Sequence, residues 1–187
     1  IVTTRFPRDS AGRYAAEPDF ACWSDRLEIF GLDLRHTPSV EAFCAHLLST
    51  RERLDFVVNN ACQTVRRPPD FYRHMLEAET AAAGSLPDEC RRLLGAYEGL
   101  RRYDMLPAGR SVVAEQQLEA LVGVTRAAEL SQVPLLPGEA DGQRDLFPEG
   151  VLDQDLQQVD LRERNSWRFL LAEVSTVDVV SLDRSGA

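Results

Sequence analysis

Leu54-Asp55-Phe56-Val57-Val58-Asn59-Asn60-Ala61 is the stretch whose reading decides the fold. Leu54 to Val58 is short, apolar and rich in β-branched residues, which is the composition of a buried strand. Two amides stand at its carboxyl end, where they can tie neighbouring strands together through side-chain to backbone hydrogen bonds. The small Ala61 lets the backbone come close to a ligand. Ligands of open parallel sheets bind at the carboxyl ends of strands. Taken alone, Asn59-Asn60-Ala61 is either the rim of such a crevice or a polar start to a loop, and both readings stand.

The residues before it repeat one rhythm. Thr37-Pro38 has the form of a helix start, Thr as N-cap and Pro at the first helical position. Val40, Phe43, Cys44, Leu47 and Leu48 then recur at helical spacing and predict one apolar face, ending near Glu52. Leu27 to Leu34 reads as a strand with Ile29, Phe30 and Leu32 in the core. Arg8 to Ala16 reads as a helix broken near Pro18, and Ile1 to Thr4 as the end of a buried strand. Strand, helix, strand, helix, strand predicts an α/β fold with a parallel sheet, a partial Rossmann-like, doubly wound arrangement. The expected division is 1–65 for this unit, 66–165 for an insertion, and 166–187 for a return to the same domain.

The insertion reads differently. Ser85 is a possible cap for a helical face of Leu86, Cys90, Leu93, Leu94 and Tyr97, and Val112 to Leu130 is a further helical candidate through Val113, Leu118, Leu121 and Val122. Pro134-Leu135-Leu136-Pro137 breaks it. Ser131 to Asp160 holds seven acidic residues and one basic, with three Pro and three Gly, and is expected to be mainly irregular and solvated.

Composition narrows the chemistry. The chain has 187 residues, 44% of them hydrophobic, enough for a sizeable core. Its net charge of -9 repels nucleic acid and anionic membranes, so neither is an expected partner. No apolar run approaches the roughly 20 residues that span a bilayer. All 21 basic residues are Arg, which excludes any mechanism that needs a lysine amine. Cys22, Cys44, Cys62 and Cys90 show no CxxC spacing, and the acidic segment lacks an EF-hand pattern, so no metal site is expected. Reduced, mostly buried thiols and a cytoplasmic location are the expectation. Tyr14, Tyr72, Tyr97 and Tyr103 read as core or surface residues. The pairs Arg66-Arg67, Arg91-Arg92 and Arg101-Arg102 read as partners for Glu and Asp.

Ile1-Val2-Thr3-Thr4-Arg5, Leu32-Asp33-Leu34 and Leu54 to Ala61, in that order and spacing, resemble the second, third and fourth strands of the short-chain dehydrogenase/reductase (SDR) family. These are NAD(P)-dependent oxidoreductases. The resemblance covers about residues 1–65 and resumes at about 166–180, where Glu173-Val174-Ser175-Thr176 resembles the start of the family's next helix. The family's Asn-Asn-Ala-Gly appears as Asn59-Asn60-Ala61-Cys62, a departure at the last position.

The resemblance implies that Asp33, with Leu34 beside it, contacts adenine; a residue that merely stops the strand is the other reading of Asp33. It implies that Asn59 and Asn60 brace the sheet, and that the Asn60-Ala61 backbone lines the cofactor ribose. Arg5, with Thr4, would favour NADP over NAD, since a guanidinium suits a 2′-phosphate; a solvated loop arginine is the other reading of Arg5. The parent enzyme would move a hydride between the nicotinamide and a small-molecule carbonyl or alcohol. The family's glycine-rich turn belongs before Ile1, and its Tyr-x-x-x-Lys cannot occur without lysine. No catalytic residue is therefore expected in this chain, which reads as an internal fragment, inactive by itself and prone to aggregate through unpaired strand edges. Residues 66–165 would sit at the active-site edge as a lid or as a contact in a homo-oligomer. The alternative is a non-catalytic Rossmann-like scaffold whose insertion is a protein-interaction module.

Overall fold

Val2–Thr4 (β1) and Ile29–Gly31 (β2) pair in parallel, with Val2 opposite Ile29 and Thr4 opposite Gly31. The ladder is extended at both ends: the Val2 N–H donates to the Glu28 carbonyl and the Leu32 N–H to that of Thr4. Parallel strands need a crossover, and Pro7–Ala15 (α1) lies on it. Thr37–Thr50 (α2) follows β2. The computed structural model describes residues 1–61, 67–80, 85–99, 122–134, 136, 138–139, 142–154, 158–165, 168–170 and 172. Among them the fold is mixed helix and strand, with a two-stranded parallel sheet.

The chain folds as two compact units. One holds Ile1–Thr50 and Met75–Ser131, the other Arg51–His74 and Gln132–Ala187. The core of the first is built on β2. Ile29 and Phe30 are fully buried, and Ala11, Phe20, Leu32, Phe43, Cys90, Leu93, Leu94, Tyr97 and Val124 close around them. Arg73–Thr80 (α3), Asp88–Leu93 (α4) and Ala127–Leu130 (α5) are further helices.

Several expectations are met within a residue or two. α1 and α2 lie where capping and periodicity placed them, and Cys90, Leu93, Leu94 and Tyr97 form a buried helical face. The apolar face of α2 is narrower than expected. Phe43 is buried, and Val40 and Leu47 pack on the core, whereas Cys44 and Leu48 face solvent. Pro87, not Ser85, holds the N-cap position of α4. The thiols divide: Cys90 is buried, Cys22 and Cys44 exposed.

The largest difference concerns the stretch that suggested the fold. Leu54 to Val58 forms neither helix nor strand, and Leu54, Phe56, Val57 and Val58 are 60–86% exposed. Strand propensity is realised only where a neighbouring strand accepts the N–H and C=O groups. β1 and β2 pair with each other, and this run is not in their ladder.

In the second unit, the described residues between Gln132 and Asp160 are mostly irregular, apart from a 3-10 turn at Arg144–Leu146, but they are not simply solvated. Asp160 is clamped by Arg162, through bonds of 2.9 and 2.8 Å, and by Arg67. Arg162 also reaches Glu139 at 3.6 Å and lies over the Phe147 ring. Phe147 meets Phe71 edge to face. Burial pushes the Asp160 carboxyl up, but the bonds and charges of Arg162 and Arg67 outweigh that and hold it below the usual range. The expectations that rest on Cys62, Arg66, Arg101, Arg102, Tyr103, Val112, Val113, Leu118, Leu121, Trp167 and residues 173–187 lie outside the described residues.

Candidate functional site

The carboxyl ends of β1 and β2 lie side by side, because the strands are parallel and in register at Thr4 and Gly31. This brings Thr4, Arg5, Asp33 and Leu34 to one end of the sheet. Thr4 organises the turn into α1: its Oγ1 accepts from the Phe6 N–H at 3.2 Å and lies 3.5 Å from the Ser10 Oγ. The Arg5 guanidinium stands 5.5 Å from the centre of the Phe6 ring. Leu34 is 54% exposed.

Asp33 is the best-defined side chain here. It is buried, and both its oxygens face Arg35. Nε of Arg35 donates at 3.0 and 3.2 Å, and an Nη at 2.6 Å. The Arg35 backbone N–H adds a bond of 3.0 Å, closing an Asx turn. Burial alone would push this carboxyl up. The bonds and charge of Arg35, with the charge of Arg5 behind them, prevail and hold it below the usual carboxylate range. Asp33 and Arg5 therefore sense each other, as their places at neighbouring strand ends require.

Arg35 was not singled out in the sequence. It ties this end of the sheet to α5 through the Leu130 carbonyl at 3.1 Å. A second tie comes from the Asp33 N–H, which donates to the Gly123 carbonyl at 2.8 Å. A third is Ser39, fully buried at the start of α2, whose Oγ accepts from the Gly123 N–H at 2.7 Å and lies 2.8 Å from Nδ1 of His36. A Cβ on Gly123 would meet Ser39 and His36 within 3 Å, so glycine permits this approach. The only sequence signal for these ties was the proximity of Asp33, Arg35, His36 and Ser39. Their partners lie some 90 residues away and carry no motif.

Asn59, Asn60 and Ala61 are exposed, follow the unpaired run Leu54 to Val58, and belong to the second unit. Among the described residues no group of three His, Cys, Asp or Glu could hold a metal ion, and no helix is long and apolar enough to cross a membrane. Comparison with protein-family models, with curated proteins and with solved structures yields no match.

Proposed function

We propose that this chain is part of an NADP-preferring oxidoreductase of the short-chain dehydrogenase/reductase type, acting on a carbonyl or alcohol. The observation that carries the reading is the parallel pairing of β1 with β2, which brings Thr4, Arg5 and Asp33 to one end of the sheet. In the doubly wound order the third strand neighbours the second, the second neighbours the first, and the fourth lies beyond the first. With β1 and β2 as second and third strands, they should pair directly, as they do. The first strand would carry the glycine-rich turn and belong before Ile1.

On this reading Thr4 and Arg5 receive the 2′-phosphate, a guanidinium being suited to it in charge and shape. Asp33 and Leu34 lie toward the adenine. Since both Asp33 oxygens already accept from Arg35, Asp33 meets the adenine amino group only through a lone pair left over from that clamp. Asn59, Asn60 and Ala61 line the ribose once the fourth strand is paired.

The test is a fluorescence titration with NADPH and with NADH, made on this chain and on the product of the uninterrupted reading frame around it. The longer product should bind NADPH at micromolar concentration and prefer it to NADH. Arg5→Ala should remove most of that preference, and the chain alone should bind neither tightly. A reading frame with no glycine-rich turn upstream and no Tyr-x-x-x-Lys downstream would sink the proposal.

A further inference from the structure

Asp33 offers little of itself to a ligand. It is 2% exposed, and its oxygens are engaged inside the protein. Oδ1 accepts from the backbone N–H and from Nε of Arg35, both at 3.0 Å, and Oδ2 accepts from an Nη at 2.6 Å. The two residues after it are the ones that meet water at this strand end. Leu34 is 54% exposed, and the Arg35 side chain 32%. They stand at the same end of the sheet as Thr4 and Arg5, because β1 and β2 are parallel and in register.

Leu34 and Arg35 differ in what they can hold. A guanidinium hydrogen-bonds in its own plane, so the bonds to Asp33 and to the Leu130 carbonyl at 3.1 Å engage its edge and leave stacking to its faces. The same bonds fix it in place. An arginine that must be ordered by its ligand gives up rotamer freedom on binding, and this one has given it up on folding. Leu34 adds an apolar side chain more than half in water. A flat heterocycle with apolar faces and polar edges suits both. We propose that Arg35 and Leu34 receive the base of the nucleotide, which rests on the cofactor reading above: the adenine stacks on the Arg35 guanidinium and against Leu34. Asp33 is then a positioning residue, which holds the guanidinium flat and charged.

Proton NMR on the full chain tests this with adenosine 2′-monophosphate, the part of the cofactor that this strand end would meet. A purine ring moves protons that lie over its face upfield. The Leu34 methyl and Arg35 δ-methylene signals should move upfield with this nucleotide and not with inorganic phosphate. Shifts confined to Thr4 and Arg5, equal shifts with phosphate alone, or no shift at all overturn the proposal. Inosine 2′-monophosphate lacks the amino group that Asp33 would accept from, and it should bind within about twofold of the adenosine nucleotide. A loss of about tenfold or more returns the base to Asp33. Arg35→Lys keeps a cation beside Asp33 but has no planar face. It should weaken the adenosine nucleotide roughly fivefold and leave phosphate binding, read at Arg5, unchanged; equal loss of both overturns the stacking role. Should Arg35→Lys fail to fold, the upfield shifts and the inosine comparison in the parent chain decide. NADPH binding by the longer product, with Leu34 and Arg35 unmoved by the nucleotide, sinks this inference alone. Upfield shifts without NADPH binding uphold the base site and sink the oxidoreductase.

Discussion

At Asp33 a carboxylate stays ionised although only 2% of the residue's surface meets water. Isolated, such a charge would be untenable. It is kept by Arg35, whose two-point grip spans both oxygens, and Arg35 is itself part-exposed. Asp33→Asn keeps the shape but leaves the guanidinium facing an amide. It should lower stability by about 2 kcal/mol, toward the low end for a broken charged contact because Arg35 can turn to solvent. Urea unfolding at pH 7 measures this. The carboxyl is held down by folding, so its contribution is full above the unfolded pKa of about 3.8 and is lost as pH falls through the folded one. The gap between Asp33→Asn and the parent chain should accordingly close below pH 3.8. A gap that stays constant down to pH 2.5 would mean that Asp33 acts through packing rather than charge.

Among the elements, β2 is constrained by what lies against it. A Cβ on Gly31 would stand 2.5 Å from the Tyr97 hydroxyl and 2.7 to 2.8 Å from its ring carbons. Tyr97 is buried in the core. Gly31→Ala should cost about 1–3 kcal/mol, and most of that should be recovered when Tyr97→Leu is added, since the clash is with the ring. Additive costs in chemical unfolding would show that Tyr97 is not the obstacle. The apolar run Leu54 to Val58 makes a different prediction. Four large apolar side chains in solvent, with free backbone groups, invite pairing with another chain. Sedimentation velocity should show association that grows with concentration and is largely suppressed by Phe56→Glu. An unchanged distribution in that variant would place the sticky surface elsewhere.

These elements also show what could be read from residues in a row. α1, α2 and β2 were legible because each states its own case, by helical period, by Thr37-Pro38, by an apolar stretch. The core face of Cys90, Leu93, Leu94 and Tyr97 was legible for the same reason. Leu54 to Val58 was not, because a strand is a property of two segments and its composition describes only one. At the site, Thr4, Arg5 and Asp33 were legible as strand ends. Arg35 and Ser39 were not, because their work depends on Leu130 and Gly123, and no local pattern announces a partner 84 to 95 residues distant.

Over the whole molecule, the two units differ in how far each leans on its carboxylates. The first carries a carboxyl raised by burial, Glu79; the second turns on one held down by Arg162 and Arg67, Asp160. Acidification from pH 7 to about 4.5 strengthens the first unit through Glu79 and leaves the Asp160 clamp charged and intact. Below about 3.8 the clamp loses its charge, and Arg162, whose side chain is only 7% exposed, loses one of the two carboxylates that neutralise it. Asp33 is lost over the same range, but the first unit also has a continuous apolar core under β2, whereas the described apolar contacts of the second centre on Phe71, Tyr72 and Phe147. The second unit should therefore unfold first in acid. Peptide-resolved hydrogen exchange, corrected for the intrinsic rate at each pH, should show residues 142–165 losing protection before residues 27–34. Asp160→Asn should weaken the second unit already at pH 7, by about 2 kcal/mol, because it leaves a buried guanidinium with Glu139 as its remaining carboxylate. It should also flatten that unit's loss on acidification. Simultaneous loss of protection in both segments at every pH would show that the two units unfold as one, and that the Asp160 clamp does not set the acid limit of either.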